Sequence, residues 1–152
     1  MIRASNATVY KWGDRIAFGL YGNAGPFLGL GWSEQADETS TWTNGPEADF
    51  SFRSVPPPSD IVMTFHVFPF LCPGIIEQQA LTIFFNYYRV GYFEIDRASD
   101  HSVHLPRELF AMRTAKLCFH IPTCESPQKL KLNQDVRRLG LAFESIVLEP
   151  TT

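Results

Sequence analysis

The sequence has few cysteines, no long apolar run and no excess of basic charge, and each shortage excludes a class of protein. Three cysteines are an odd number, which argues against the disulfide framework of many small secreted proteins. No apolar run approaches the roughly 20 residues that a membrane-spanning helix needs. With 13 basic and 16 acidic residues the net charge is −3, so nothing predicts a partner of nucleic acid or anionic membrane.

The N-terminal residues do not show the pattern of a secretory signal. Met1 to Asn6 do not have the basic-then-apolar layout of a secretory signal. Together with the odd number of cysteines, this predicts a cytoplasmic protein with reduced thiols.

What the sequence does contain is enough apolar material for one substantial core. Apolar residues make up 45% of the chain, and 13 of them are phenylalanines. A length of 152 residues fits a single domain of this kind, and no linker or internal repeat divides the chain. We therefore predict one domain over residues 1–152.

Apolar residues alternate with polar or small ones in almost every long segment, a period of two that is typical of half-buried strands. The segments are 16–20, 48–53, 61–67, 81–85, 90–95, 115–121 and 139–148. Glycine- and proline-rich turns separate most of them, a further turn is expected from Arg97 to Asp100, and Pro106 to Ala111 is the one helix-like stretch. The pattern predicts an all-β fold, a two-layer antiparallel β-sandwich, and the long loop Pro122 to Gln134 favours the jelly-roll type.

The last strand shows a change of register. Leu139, Leu141 and Phe143 share one face, whereas Ile146 and Leu148 fall on the other parity. One extra residue near Glu144 would restore the alternation, so we expect either a β-bulge there or burial on both faces.

Two tryptophans stand in the most distinctive stretch of the sequence. Trp32 and Trp42 are ten residues apart and flanked by small polar residues, with Glu34 beside the first. Indole faces stack on the apolar faces of sugar rings, so the pair can form a carbohydrate platform. The alternative is that both tryptophans cap the sandwich core.

A second candidate lies at the entrance to the last strand. Asp135 stands two residues before Arg137, a spacing that can close a turn through a charge-assisted hydrogen bond. The alternative is that Asp135 or an adjacent arginine, such as Arg138, faces a ligand cleft.

A series of short motifs runs in one order along nearly the whole chain. They are Gly31-Trp32-Ser33-Glu34, Thr41-Trp42-Thr43-Asn44-Gly45, Pro69-Phe70, Asn86, Leu105-Pro106-Arg107-Glu108-Leu109, Ser126-Pro127 and Asp135-Val136-Arg137-Arg138-Leu139-Gly140-Leu141. The series resembles a bacterial β-sandwich module of unassigned function that is found with glycosyltransferases and other polysaccharide-related proteins. The resemblance implies a carbohydrate setting and a strand-rich sandwich, and it supplies no catalytic residue.

This chain departs from the pattern of that module at two places. Gln35 and Ala36 stand where the module has a Pro-Glu pair, and Tyr87 follows Asn86 where the module has glycine.

Catalytic and metal-binding interpretations have less support. No spacing marks a pair of acidic residues as the two carboxylates of a glycosidase. His101 and His104 differ in parity on a strand, while Cys118 and His120 share a face but number only two of the three or four ligands that a metal needs. We expect no catalytic residue, no metal and no cofactor.

The sequence therefore favours a non-catalytic module that binds carbohydrate or serves polysaccharide biosynthesis, with a glycosyltransferase-system protein as a further candidate partner. A protein-interaction or structural module is the alternative, homo-oligomeric through an exposed sheet, since Tyr87, Tyr88 and Tyr92 suit an interface as readily as a sugar cleft. The candidate carbohydrate-binding residues are Trp32, Glu34, Trp42, Asn86, Asp135 and Arg138.

Overall fold

The computed structural model describes residues 7–152, so the N-terminal segment Met1 to Asn6 discussed above lies outside the described residues. Within this range the chain forms strands and two short 3-10 segments. The strands are β1 (Arg15–Ala17), β2 (Thr41–Asn44), β3 (Glu47–Phe52), β4 (Ile61–Pro69), β5 (Gln79–Phe85), β6 (Tyr88–Ile95), β7 (Ser99–Leu105), β8 (Ala115–His120) and β9 (Leu139–Pro150). The 3-10 segments are Gly25–Phe27 and Arg107–Ala111, the second confirming the predicted helix-like stretch.

The strands form two antiparallel sheets. In the five-stranded sheet the order is β1-β9-β4-β7, and β2 also pairs with β9; in the four-stranded sheet the order is β3-β8-β5-β6. The predicted all-β, two-layer jelly-roll sandwich is confirmed.

Aromatic side chains from both sheets fill the space between them. Phe50 of the four-stranded sheet and Phe65 and Phe143 of the five-stranded sheet are completely buried. The other fully buried large aromatics are Phe18, Phe52, Phe85 and Phe119. All of these side chains point inward from a strand or from the residues beside it. Because side chains alternate along a strand, the polar residues between them face outward.

The last strand contains the predicted bulge. His66 of β4 pairs with Ser145 of β9, whereas the next residue, Val67, pairs with Phe143, so Glu144 is the extra residue. The bulge lets Phe143 and Ile146 both point into the core.

Two predicted boundaries were wrong. β1 ends at Ala17, and Leu20, predicted to continue its alternation, is exposed in the following loop. β7 begins at Ser99, inside the turn predicted from Arg97 to Asp100. In both places the strand boundary is set by where a neighbouring strand offers backbone hydrogen bonds, and local residue type does not decide it.

No helix of the described residues is both long enough and apolar enough to cross a membrane.

Candidate functional site

A groove of about 450 Å³ lies on the outer face of the four-stranded sheet. We call it the sheet groove, and its lining residues are Glu47, Asp49, Phe84, Tyr87, Lys116, Cys118 and His120. They occupy the positions that alternate with the buried residues of β3, β5 and β8, together with one residue of the β5–β6 turn.

The strand register places most of these residues in two rows across the sheet. One row runs from Glu47 through His120 and Thr82 to Tyr92. The row beside it is formed by Asp49, Cys118, Phe84 and Arg89. Because neighbouring strands are about 4.8 Å apart, each row presents charged and aromatic groups over a width of about 14 Å, and the first row adds the hydroxyls of Thr82 and Tyr92.

Tyr87 stands at one end of the groove on the tight turn between β5 and β6. Phe85 pairs with Tyr88, so Asn86 and Tyr87 are the two central residues of the turn, with φ of 46° and 74°. Positive φ at both central residues is the pattern of a type I′ hairpin, whose second position favours glycine. A tyrosine there is strained, yet its side chain is 74% exposed.

The other residue of the turn, Asn86, fixes the turn in place. Its backbone N–H donates to the Lys116 carbonyl at 2.8 Å, and its side-chain oxygen accepts from the Lys116 N–H at 2.8 Å. Its side-chain Nδ2 donates to the carbonyl of Leu109 at 2.6 Å. Asn86, predicted as a ligand-binding residue, is buried and positions Tyr87 against β8.

Lys116 links the aromatic and acidic parts of the groove. Its Nζ lies 5.8 Å from the centre of the Tyr87 ring and 3.8 Å from Oδ2 of Asp49. The groove thus offers an aromatic face beside both a hydrogen-bond donor and acceptors, the combination that recognises a ring with hydroxyl groups on its edge.

The thiol on the groove floor stays protonated at neutral pH. Burial, together with the neighbouring carboxylates of Asp49 and Glu47, raises the pKa of Cys118 to about 11. A thiol rather than a thiolate is a poor nucleophile, so Cys118 contributes a small neutral surface instead of reactive chemistry.

Trp32 belongs to the core. Its ring centre lies 5.5 Å from that of Phe18 and 5.3 Å from that of Phe143, and its indole N–H donates to the Asp49 carbonyl at 2.7 Å. Only 9% of the residue is exposed. Of the two interpretations of Trp32, the structure therefore matches the core cap.

Trp42 lies on the opposite side of the molecule from the sheet groove. Thr41 and Thr43 point inward from β2, so the Trp42 side chain lies on the outer face of the five-stranded sheet, where it meets Phe68 edge-on at 5.3 Å. The two tryptophans are backbone neighbours, since Ser33 donates to the Trp42 carbonyl, but their rings point to opposite faces. The expectation of one shared indole platform was wrong because strand alternation separates the rings.

Glu34 is exposed in the loop before β2, at a small recess of about 190 Å³ that it shares with Ser33 and Thr41. Neither Glu34 nor Arg138 lines the sheet groove. The Arg138 backbone N–H donates to Oδ1 of Asn44 at 2.9 Å, while its side chain is exposed. The structure thus separates the predicted site residues, and their role as ligand contacts stays a prediction.

Asp135 and Arg137 close the turn before β9, as their spacing predicts. Arg137 donates to both carboxylate oxygens of Asp135, at 3.0 Å from Nε and 2.6 Å from an Nη, and its other Nη donates to Ser33 at 3.0 Å. The Arg137 backbone N–H adds a bond of 3.0 Å to Oδ1. The pair therefore joins the loop after Trp32 to the start of the last strand.

We expect Asp135→Ala to lower the free energy of unfolding by about 1–2 kcal/mol, because it removes charge-assisted bonds from a half-buried arginine. The hydrogen bond from Arg137 holds the pKa of Asp135 below its usual range. A lowered pKa means that the stabilisation is complete above the unfolded pKa of about 3.9 and is lost as the pH falls through the folded value. Urea unfolding of both proteins should show a constant difference from pH 7 to 5 that shrinks below about pH 4. Glu34→Ala, at an exposed carboxylate nearby, should show neither effect.

A polar cluster lies beside Trp42 on the five-stranded sheet. His66 Nδ1 is 2.7 Å from Oδ1 of Asp100, and its Nε2 is 3.0 Å from Oε1 of the bulge residue Glu144. His101 and His104 lie on opposite faces of β7, as their parity predicts, with His104 bonded to Asp60. Among residues 7–152 no group of three or more His, Cys, Asp or Glu side chains is arranged to hold a metal ion.

Most of the groove residues were not singled out from the sequence. In the sequence Asp49 and Lys116 have the pattern of the solvent face of a strand, and Cys118 and His120 were considered only as metal ligands. The pairing of β3 with β8 and of β8 with β5 brings them together, and that pairing is not readable from the alternation alone. The one local signal was Tyr87, a tyrosine where the similar module has glycine.

No protein-family model matches this sequence, and no curated protein matches it. The fold, however, is shared with solved structures. The xylan-binding domain CBM22-1 of Paenibacillus barcinonensis Xyn10C has a TM-score of 0.52 and 11% identity, covering 95% of this chain and 100% of that domain. The CBM36-1 domain of a multidomain xylanase from the hindgut metagenome of Trinervitermes trinervoides has a TM-score of 0.50 and 5% identity, covering 91% of this chain and 98% of that domain.

An enzyme contains a similar domain. The GH115 4-O-methyl-α-glucuronidase BtGH115A, with specificity for decorated arabinogalactans, has a TM-score of 0.51 and 10% identity. The match covers 99% of this chain and 17% of the enzyme. At identities this low the likeness shows a common fold: this chain is a jelly-roll β-sandwich of the kind found in carbohydrate-binding modules.

Proposed function

We propose that this protein is a non-catalytic carbohydrate-binding module whose ligand lies in the sheet groove, with Tyr87 as the stacking platform. The observation that carries the proposal is the strained, exposed tyrosine beside paired charged groups. Its φ of 74° favours glycine, and the large exposed ring does not pack in the core. A residue kept in an unfavourable conformation at the lip of a groove is a signature of function.

The rest of the groove supports the same ligand class. Phe84 continues the aromatic surface, while Asp49 and Glu47 supply acceptors and Lys116 a donor for sugar hydroxyls. The groove is open and crosses several strands, which suits a polysaccharide chain better than a small enclosed ligand. The xylan-binding domain that shares the fold makes xylan the first polysaccharide to test.

The proposal extends to the system in which the protein works. The similar module is found with glycosyltransferases, so we propose that this protein serves a polysaccharide-processing system in bacteria, with its ligand or partner in the cytoplasm.

We expect at least one of four polysaccharides, xylan, mannan, arabinogalactan or laminarin, to retard the protein when it is included in a native gel. Tyr87→Ala should weaken binding of that polysaccharide about tenfold or more, since it removes the stacking face. Tyr21→Ala is the control, because Tyr21 is a tyrosine outside the groove that is even more exposed than Tyr87, and this variant should bind as the unmodified protein does.

Two results would contradict the proposal. If the protein migrates equally in all four polysaccharide gels and in gels without polysaccharide, the proposal of a carbohydrate-binding function is wrong. Binding that survives Tyr87→Ala but is lost in Trp42→Ala moves the site to the five-stranded sheet, where Trp42 and Phe68 meet, and restores the tryptophan hypothesis for that residue.

A further inference from the structure

A second depression of about 370 Å³ adjoins the sheet groove. It shares Asp49, Tyr87 and Lys116 with the groove, and the rest of its lining is Gly29, Leu30, Ser51, Asn86, Met112 and Thr114. We call the part formed by Gly29, Leu30 and Met112 the apolar recess. A ligand lying over Tyr87 in the groove therefore reaches the recess without a break in the surface.

Leu30 is presented to the recess by a fixed backbone. The Gly29 N–H donates to the Asp49 carbonyl at 2.8 Å, and the Asp49 N–H donates to the Leu30 carbonyl at 2.9 Å. Gly31 has a φ of 92°, and a Cβ atom there would lie 1.8 Å from the Glu47 carbonyl oxygen. The loop can follow β3 this closely only with glycine at position 31, which holds Leu30 in place with 82% of its surface exposed.

Met112 is the second large apolar residue of the recess. It directly follows the 3-10 segment Arg107–Ala111 and is 53% exposed. Single exposed apolar residues are ordinary on a protein surface, but two such side chains and a tyrosine on one depression form a patch. An unbranched thioether also adapts to ligands of different shape.

We propose that the apolar recess receives an apolar substituent, an acyl or aryl group, carried by the glycan that the sheet groove binds. The inference rests on the carbohydrate function proposed above and specifies its ligand as a substituted glycan. Because Tyr87 lines both depressions, the substituent would lie beside the stacked sugar.

The size of the recess favours a substituent over a protein segment. An apolar cavity of about 150 Å³ is enough to hold benzene. A protein partner needs about 800 Å² of surface on each side of a stable interface, far more than Leu30 and Met112 supply. The shared residues Asp49 and Lys116 are also charged, which favours a ligand whose adjoining part is polar.

The test compares methyl, phenyl and hexyl β-glycosides of xylobiose, and of the disaccharide from any other polysaccharide that the gels retain. Calorimetry should find that the phenyl and hexyl glycosides bind about tenfold more tightly than the methyl glycoside, which corresponds to about 1.4 kcal/mol. Leu30→Ser and Met112→Gln should each lose most of this gain while binding the methyl glycoside unchanged. Ile75→Ser, at an exposed isoleucine outside both depressions, should keep the full gain.

Each other outcome overturns the inference in a recognisable way. Equal affinity for the three glycosides would contradict the role of the apolar recess but leave the carbohydrate function unaffected. No binding of any glycoside or polysaccharide would contradict both. A dimer in sedimentation that Leu30→Ser converts to a monomer assigns the patch to an interface between copies of this chain.

Discussion

Trp32→Ala should lower the free energy of unfolding by about 3–5 kcal/mol, the cost of deleting a large aromatic from a packed core. The indole packs against Phe18, Phe119 and Phe143, which come from both sheets and from the strand flank beside β1. Removing it leaves a cavity between the layers and takes away one of the two donors to the Asp49 carbonyl, which keeps only the Gly29 N–H.

Urea unfolding followed by circular dichroism measures this change, and two variants separate its causes. Trp32→Phe keeps an aromatic ring but loses the hydrogen bond, so its cost should be smaller, about 1–3 kcal/mol. Trp42→Ala, on the outer face, should cost less than Trp32→Ala because Trp42 is only half-buried. If Trp32→Ala were as stable as the unmodified protein, the placement of the indole in the core would be wrong.

Tyr87→Gly should separate stability from ligand binding. A left-handed conformation costs a residue with a side chain about 1–2 kcal/mol, and glycine adopts it without that cost. The greater freedom of glycine in the unfolded chain offsets about 0.5–1 kcal/mol of the gain. The free energy of unfolding should therefore stay level or rise by up to about 1.5 kcal/mol, while affinity for the polysaccharide falls about tenfold or more.

Tyr87→Phe is the control for this prediction, since it keeps the ring and removes only the hydroxyl. It should keep most of the affinity and the original stability. A Tyr87→Gly protein that binds normally would show that the tyrosine is a tolerated turn residue with no part in recognition.

The sequence predicts the layers of this fold better than it predicts the site. Alternation identifies which side of each strand is buried, and even the bulge at Glu144 follows from the parity of Phe143 and Ile146. The sheet groove depends instead on which strands are neighbours. Asp49 and Lys116 are far apart in the chain, and only the pairing of β3 with β8 brings them together.

The two tryptophans also show that the sequence predicts backbone position better than it predicts the placement of side chains. Their spacing correctly indicates that they lie near each other along the backbone, since Trp32 bridges to Thr43. It does not indicate where the rings point, because Trp32 lies outside the long strands while Trp42 is held by the alternation of β2. Asp135 and Arg137 were predictable because both partners of their contact lie within one turn.

The position of β9 has a consequence for how the chain acquires its fold. β9 is the last strand in sequence but lies in the interior of the five-stranded sheet, where Arg15 pairs with Val147 and Thr41 with Phe143. The four-stranded sheet has all its strands by residue 120, whereas its partner sheet lacks its central strand until residue 150 has been synthesised. Contacts that close such long loops slow folding, so a ribosome-bound chain should wait with β1, β2 and the inner face of the groove-bearing sheet uncovered. Synthesis of β9 would then be the event that closes the sandwich.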